Sequence, residues 1–464
     1  MKKFLSLALA AAMVFTLASC GKKEPTPSGS SSTTIVTPST PEEKEAARAE
    51  IRNAISLLFD RNYIVEKIGQ AGQVPASSFV AMGMTNPDGT QFYETAGHNE
   101  GYAGYYNVAA DAYEDNFTQA IETLRKYYAY DESTGKFTNF PTLTYLYNTS
   151  EAHKAIGEYL QAALASVGIE MQLENQEWNT FLNTRKEGNF SIARNGWLAD
   201  YNDPICFLDM WVTKSGNNDV QFGKGAHKDL AIYSLDLTPY GYDTKVENGT
   251  WAETYDVLIS DIKGCTDNEN RYAMMHIAED MLMSTGCIVP LYFYTDIYML
   301  DDSVQGYGTE NKDDLAVKAL DDKTLEVTLA NTVAYWDELL AFPAYFPVRE
   351  DVVANEGWAT DPSTYVCNGP YTITGWDHNS VITLTKNEHY VDADQVTMNE
   401  IKFYLSDDAN NMLTNFENGS WQLIDDVPTN EIANLKVEYP TEFVVAGQIG
   451  TYYVCWNINE EILP

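Results

Sequence analysis

The residue types best suited to ligand binding lie close together near the middle of the chain. Residues 193–204 read ARNGWLADYNDP and place Arg194, Trp197 and Asp200 within one short segment. A guanidinium binds a carboxylate through paired hydrogen bonds, and a carboxylate accepts strong hydrogen bonds from an ammonium group. The segment therefore favours recognition of a charged ligand, although an aspartate in a sequence such as DYNDP also often caps a turn.

Signatures of catalysis are missing from the sequence. It contains no Gly-x-Ser-x-Gly, His-Glu-x-x-His, P-loop or Gly-x-Gly-x-x-Gly motif. Its 67 acidic residues could include a glycosidase pair, but no spacing selects one. Beyond Cys20, five cysteines stand at wide spacings without a Cys-x-x-Cys pair, which is typical of small core residues. We therefore predict a binding protein with no enzymatic activity, no metal and no cofactor.

The N-terminal residues predict export and attachment to a membrane. Two lysines precede an apolar run over residues 4–17 that is short for a transmembrane span, and Leu17-Ala18-Ser19-Cys20 resembles a bacterial lipobox. Residues 1–19 are therefore predicted to be a lipoprotein signal peptide, and Cys20 the lipidated residue. Residues 20–40, rich in Ser, Thr and Pro, are predicted to be a disordered tether. An ordinary cleaved signal with an incidental cysteine is the alternative.

The charge of the chain restricts its partners. There are 67 acidic and 29 basic side chains, which give a formal net charge of −38. Such a chain repels nucleic acid and anionic lipid head groups, so neither is a predicted partner. The same charge keeps an exported protein soluble. The 31 tyrosines are more than a core needs and suit a pocket that holds varied ligands.

Helical and strand patterns alternate along the chain from Pro41. Thr40-Pro41-Glu42-Glu43 predicts a helix start with a capping box. A second helix is expected from Ser150 to Gly168. Strands are expected over residues 169–173, 190–194, 288–300, 325–329, 381–385 and 401–405. The predicted fold class is α/β with mixed sheets in two lobes, joined through the acidic residues 301–314.

Several segments resemble the oligopeptide-binding family (family 5) of ABC-importer solute receptors. The most specific is the segment at 193–204, and the resemblance covers nearly everything from Pro41 onward. The other matching segments are LYNTSEAHK at 146–154, ENQEW at 174–178, Thr184-Arg185, FDRNYIV at 59–65, IVPLYFY at 288–294, VKALDDKTLEV at 317–327 and NGPY at 368–371. The resemblance implies a two-lobed, periplasmic-binding-protein-like fold.

The resemblance also implies roles for the charged residues. In the family, the carboxylate of the Gly-Trp-x-x-Asp segment accepts the peptide ammonium group, and here that carboxylate belongs to Asp200. Family members bind the carboxylate ends of peptides of different lengths with spaced cations, and the matching positions are Arg194, Arg185 and His153. His153 could equally be a surface residue in the first turn of its helix.

Aromatic residues complete the set that the resemblance implies. Trp197 and Trp178 resemble residues that line side-chain pockets in the family, and each could instead belong to the core. Tyr292, Tyr294 and Tyr453 are weaker candidates for the cleft, because tyrosines in strands are mostly structural.

The implied function is that of a monomeric receptor, held outside the cytoplasm by the lipid on Cys20, in the periplasm or on the outer face of the membrane. It would capture oligopeptides for the membrane permease subunits of an ABC importer. Alternatives are a receptor for an oligosaccharide, a nickel complex or haem, or a rearranged relic without function. Hinge closure of the lobes is expected to accompany binding.

The order of the matching blocks differs from that of the family. Residues 41–300 resemble a peptide-binding lobe that is normally C-terminal, whereas residues 301–464 resemble part of a lobe that normally precedes it. We therefore predict a circularly permuted chain in which the family's N-terminal part is missing. Permutation alone is often tolerated, because contacts and not chain order hold a fold together.

Overall fold

The computed structural model describes residues 35–227, 231–300, 316–321, 323–328, 336, 340, 343, 346–355 and 357–463. These residues form two compact units. The first contains the described residues up to Tyr294 and those from Gln448 onward, and the second contains those from Thr295 to Gly447. The predicted junction at 301–314, the signal peptide and Cys20 lie outside the described residues.

Helices and strands alternate through both units. The helices are α1 (Pro41–Leu57), α2 (Arg61–Tyr63), α3 (Tyr113–Leu124), α4 (Glu151–Ser166), α5 (Trp178–Lys186), α6 (Ile205–Leu208), α7 (Trp251–Gly264), α8 (Asn268–Ser284), α9 (Glu350–Val353), α10 (Ala409–Glu417) and α11 (Ile432–Glu438). The strands are β1 (Val74–Pro75), β2 (Tyr130–Asp131), β3 (Lys136–Phe137), β4 (Leu143–Asn148), β5 (Met171–Gln176), β6 (Ile192–Leu198), β7 (Ala231–Asp236), β8 (Lys245–Thr250), β9 (Ile288–Leu300), β10 (Ala316–Ala319), β11 (Leu325–Thr328), β12 (Tyr371–Asp377), β13 (Val381–Lys386), β14 (Glu400–Tyr404), β15 (Leu423–Ile424) and β16 (Phe443–Trp456).

The two predicted helix starts are confirmed. Thr40 caps α1, because its hydroxyl accepts a hydrogen bond from the backbone of Glu43, whose side chain bonds back to Thr40. Ser150 caps α4, because its hydroxyl accepts a hydrogen bond from the backbone nitrogen of His153 at 3.4 Å. Gly168 follows α4 at a φ of +84°, where a Cβ would lie 2.5 Å from the carbonyl oxygen of Phe137, so only glycine fits.

The main sheet of the first unit mixes parallel and antiparallel strands. Its order is β1-β9-β16-β6-β4-β5, while β15 pairs with Met299 and Leu300, the part of β9 that belongs to the second unit. Strand β4 is parallel to both β5 and β6, whereas β16 is antiparallel to β6. The predicted α/β class with mixed sheets is therefore confirmed.

The core of the first unit is dense in aromatic side chains. Trp211 is fully buried and packs edge-on against Phe79 and Tyr453, and Trp251 stacks on Tyr255 with 4.6 Å between ring centroids. The five described cysteines are free thiols: Cys206, Cys265, Cys287 and Cys455 are buried and Cys367 is partly exposed. The prediction of small core residues is therefore confirmed for the four buried cysteines and is wrong for Cys367.

The second unit contains two small antiparallel arrangements. Strands β10 and β11 pair with each other, and β12, β13 and β14 form a three-stranded sheet in that order. The second unit also contains the helices α9, α10 and α11. Among the residues that the structure describes, no helix in either unit has the length and apolar character needed to cross a membrane.

One buried carboxyl group in α8 should make the stability of the first unit depend on pH. Both backbone amides of Phe79 and Val80 donate to Oε1 of Glu279, at 2.9 and 2.8 Å. Burial raises the pKa of Glu279 to about 8 against an ordinary value of 4.5. The folded state therefore binds the Glu279 proton more tightly than the unfolded state does. Protonated Glu279 contributes its full stabilisation of the folded state below about pH 4.5, and this contribution is lost as the pH rises through 8.

We expect Glu279→Gln to remove this dependence, because glutamine keeps an acceptor for the two amides and does not ionise. The urea midpoint of the variant should exceed that of the wild type above pH 8 and should fall less between pH 5 and 8. Glu158→Gln, at an exposed position on α4, is the matched control. Equal pH profiles for Glu279→Gln and the wild type would contradict the assignment.

Candidate functional site

The connectivity of three parallel strands places a topological switch point between β4 and β6, the strand that carries Arg194. Strand β4 leads through α4 to β5 on one side, and β5 leads through α5 to β6 on the other side of β4. Ligands of α/β proteins bind at such switch points, beyond the carboxyl ends of the strands. The pairing of β4 with β6 ends at Leu146 and Ala193, one residue before Arg194. Arg194 therefore lies just beyond the last paired residues of β4 and β6.

Arg194 lies within a group of aromatic residues on one face of this sheet. Its guanidinium carbon is 5.2 Å from the ring centroid of Tyr452, and Nη2 donates to the hydroxyl of Tyr294 at 3.3 Å. Tyr292 stacks on Tyr452 with 4.7 Å between centroids, and Nδ1 of His153 lies 3.3 Å from the Tyr452 hydroxyl. We call these five residues the arginine–tyrosine cluster.

The charge of Arg194 has no carboxylate partner among the residues that the structure describes. Six other described arginines form ion pairs with acids: Arg48, Arg52, Arg125, Arg185, Arg271 and Arg349. Arg61 instead donates to the backbone carbonyls of Pro290 and Ser56. Nε of Arg194 is buried without a hydrogen-bond partner in the described part of the chain. Because an unpaired buried cation is costly, this position suits an anionic ligand.

The other polar groups of the cluster are neutral at physiological pH. Burial, together with the charge of Arg194, lowers the pKa of His153 to about 2. Burial raises the pKa of Tyr452 to about 12. His153 can therefore supply a hydrogen bond to a ligand, whereas the positive charge comes from Arg194 alone. A single net charge of +1 matches one carboxylate group.

The opposite face of the sheet holds a second set of predicted residues. Nε of Arg185 forms a buried ion pair with Asp219 at 2.9 Å, and Nη1 donates to the carbonyl oxygen of Arg194 at 3.2 Å. Tyr453 packs among core aromatics on this face, and the indole nitrogen of Trp197 is buried with no hydrogen-bond partner in the described ranges. The structure therefore separates Arg185, Trp197 and Tyr453 from the cluster around Arg194.

Asp200 and Trp178 are at exposed positions. Asp200 follows the end of β6 by two residues, and 46% of Trp178 is exposed at the first position of α5. The turn-capping role that the DYNDP sequence suggests belongs to Asp203, whose Oδ1 accepts from the backbone of Ile205 at 3.0 Å. Asp203 also forms a bidentate ion pair with Arg271.

The structure brings together four of the nine residues predicted for binding: Arg194, His153, Tyr292 and Tyr294. It adds Tyr452, which was not among the predicted residues, whereas its neighbour Tyr453 was. Tyr452 stands opposite Gly196 in the pairing of β16 with β6. A large aromatic residue opposite a glycine could have indicated Tyr452 as a site residue. This pairing can be recognised only when the strand register is known.

The described residues contain no group of three or more His, Cys, Asp or Glu side chains arranged to hold a metal ion. The chemistry of the arginine–tyrosine cluster is that of hydrogen bonding and charge pairing. The cluster brings together one cation, three tyrosine hydroxyls and one neutral imidazole. Such a set can bind and orient an anion.

Comparison with known proteins identifies the family. The model of the bacterial extracellular solute-binding proteins, family 5, middle region, matches residues 16–219 and 280–463. The chain therefore belongs to the family 5 bacterial extracellular solute-binding proteins. This confirms the predicted resemblance and agrees with a periplasmic-binding-protein-like fold.

Individual relatives match a smaller part of the chain. The dipeptide-binding protein DppE of Bacillus subtilis is 30% identical over 258 residues, which are 55% of this chain and 39% of DppE. The periplasmic oligopeptide-binding protein OppA of Salmonella typhimurium is 31% identical over 280 residues, 58% of this chain and 41% of OppA. The solved murein tripeptide-binding protein MppA of Escherichia coli aligns at 24% identity with a TM-score of 0.37, over 54% of this chain and 40% of MppA. The chain thus spans about two-fifths of the length of these relatives.

Proposed function

We propose that this protein is a lipid-anchored receptor that captures oligopeptides and passes them to an ABC importer. The observation that carries the proposal is Arg194: a largely enclosed guanidinium, surrounded by tyrosines and without a carboxylate partner in the described residues. The C-terminal carboxylate of a peptide would supply the missing anion. The names of DppE and OppA, which bind dipeptides and oligopeptides, support this class of ligand.

The spacing of Arg194 and Asp200 suits a short peptide. Six residues of extended strand span at most about 20 Å, and the side chains of both residues shorten the distance that a ligand must cover. An extended peptide of three to five residues measures about 10–18 Å. We propose that Asp200 accepts the peptide ammonium group while Arg194 binds its carboxylate. His153 would add a hydrogen bond and Arg185 would hold β6 in place.

The two predicted tryptophans would contact the side chains of the peptide. Trp178 is exposed enough to contact a ligand side chain, and Trp197 lies three residues before Asp200 with a free indole donor in the described part of the chain. Main-chain hydrogen bonds and roomy side-chain pockets allow one receptor to accept many sequences. We therefore propose broad specificity for peptide sequence.

The anchor and the transport partner follow from the same proposal. A lipid on Cys20 and a tether over residues 20–40 would hold a monomeric receptor outside the cytoplasm, where it can present peptides to permease subunits. The lipobox-like sequence and the membership of an extracellular solute-binding family support this location.

Native mass spectrometry of the full-length protein, extracted from membranes in detergent, tests ligand and anchor together. We expect a monomer that begins at an acylated Cys20 and carries a spread of small masses, which tandem fragmentation sequences as peptides. A protein loaded with an oligosaccharide, a metal complex or haem would overturn the peptide assignment. A chain without ligand or defined fold would support the interpretation as a relic.

A further inference from the structure

Tyr294 occupies a space that two glycines leave for it. A Cβ placed on Gly196 of β6 would lie 2.4 Å from the Tyr294 hydroxyl oxygen, and one placed on Gly450 of β16 would lie 2.9 Å from its ring carbon Cδ2. Real Cβ atoms do not approach other atoms so closely. The ring is therefore inserted between two neighbouring backbones, and its position depends on both glycines.

Among the residues that the structure describes, the hydroxyl of Tyr294 has a single hydrogen-bond partner. It accepts a hydrogen bond from Nη2 of Arg194, which leaves its own O–H free to donate. Burial raises the pKa of Tyr294, although Arg194 opposes this, so the group is protonated at neutral pH. The side chain is also partly exposed. An anion on Arg194 would thus find a second donor beside it.

Tyr294 also lies where the chain passes between the two units. It is the last residue of the first unit in β9, which continues as Thr295 in the second unit. Strand β16 enters the first unit at Gln448, two residues before Gly450. Tyr294 therefore contacts Arg194 through its hydroxyl, while its ring packs against the start of β16 in the first unit.

We propose that Tyr294 is a positioning residue that transmits occupancy of the anion site to the two strands connecting the units. The carboxylate that Arg194 binds accepts a hydrogen bond from the Tyr294 hydroxyl as well. This bond fixes the ring between Gly196 and Gly450, and the segments at 292–296 and 448–452 become more rigid. The proposal rests on the peptide-binding function given above. It adds that peptide binding changes the rigidity of the two strands that connect the units.

Calorimetry and hydrogen exchange on the full-length protein test the proposal. The ligands are alanine peptides of three to five residues, each as free acid and as C-terminal amide. For the wild type, the acid should slow amide exchange at 292–296 and 448–452, and the amide form should not. Tyr294→Phe should bind the acids about tenfold more weakly, bind the amides unchanged and lose the added protection. Tyr130→Phe, a tyrosine beside Arg125 elsewhere in the unit, is the matched control.

A second variant keeps the test decisive if the first one is ambiguous. Gly196→Ala should displace the Tyr294 hydroxyl and so weaken acid binding and lower the melting temperature. Adding Tyr294→Phe removes the atom at 2.4 Å and leaves Cζ at 3.3 Å from the new methyl group. The double variant should therefore regain the melting temperature without regaining acid affinity. Recovery of affinity would show that the hydroxyl is unimportant and would overturn the proposal.

The outcomes separate this inference from the proposed function. If the wild type binds none of the peptides, the peptide-binding function and the role of Tyr294 are both refuted. If the acids bind and Arg194→Met abolishes their binding, while Tyr294→Phe matches the wild type in affinity and exchange, the peptide function stands and the role of Tyr294 is refuted. A loss of acid affinity without any change in strand protection refutes the transmission and leaves Tyr294 as a ligand contact.

Discussion

Arg194→Met should bind free-acid peptides about 100-fold more weakly than the wild-type protein. Methionine keeps an apolar stem of similar length and removes the guanidinium that lies over Tyr452, so the loss reports on the charge-assisted hydrogen bonds. Truncating one member of an enclosed charge pair costs about 2–5 kcal/mol, and 1.4 kcal/mol corresponds to a factor of ten in affinity. Calorimetry with alanine peptides of three to five residues measures the change.

Two controls make the result specific. Arg125→Met removes an arginine whose charge is paired with Glu132 on the surface, so peptide affinity should not change. Peptide amides lack the carboxylate and should bind equally, and weakly, to Arg194→Met and the wild type. If Arg194→Met retained full affinity for the free acids, the assignment of the anion site to Arg194 would be wrong.

The removal of a buried cation with no carboxylate partner in the described chain should also affect stability. An enclosed guanidinium without an anion is an electrostatic cost in the unliganded protein. Arg194→Met should therefore match or exceed the wild type in stability when no peptide is present, while losing the stabilisation that ligand binding gives. Arg194 is thus expected to favour peptide binding and to lower the stability of the unliganded protein.

Much of the fold could be predicted from the sequence because its signals are local. The capping box at Thr40 depends on residues three apart, and the helix from Ser150 depends on a cap, an apolar face and Gly168. Alternating runs such as that of β13 identify strands for the same reason. The family was also within reach, since the segment at 193–204 combines several unusual residues in a fixed order.

The composition of the site was less predictable, because it depends on which face of a strand each residue occupies. Tyr452 and Tyr453 are adjacent in β16, yet one contacts Arg194 and the other packs on Trp211. Nothing local distinguishes them. The pairing of β16 with β6 joins residues about 250 positions apart in sequence and decides which tyrosine faces Arg194.

The separation of Arg194 from Arg185 has the same origin. Both were predicted to bind the carboxylate of a peptide, and the sequence alone does not distinguish them. Asp219 decides the difference, because it neutralises Arg185 on the far face of the sheet and leaves Arg194 as the cation available to a ligand. A partner 34 residues away along the chain has no signature in the local sequence.

The loop that carries Asp200 depends on a buried ion pair, and its disruption should have the largest effect on stability. Both oxygens of Asp203 bond to the guanidinium of Arg271, at 2.7 and 2.9 Å, and only 3% and 5% of the two side chains is exposed. Asp203→Ala leaves the guanidinium buried without this partner and removes the cap on Ile205. Such a change costs about 3–5 kcal/mol, a large share of the 5–15 kcal/mol that stabilises a typical domain.

Urea unfolding of the full-length protein measures this loss, and two variants define its cause. Glu132→Ala breaks an exposed pair with Arg125 and should cost less than about 1 kcal/mol. Asp203→Leu combined with Arg271→Met replaces both charges by apolar groups and should recover much of the stability, because no unpaired charge remains. If Asp203→Ala alone were as stable as Glu132→Ala, the pair would not hold this loop. Since Asp203 lies three residues beyond Asp200, a folded Asp203→Ala protein should also bind peptides more weakly, and the double variant separates lost charge pairing from lost loop geometry.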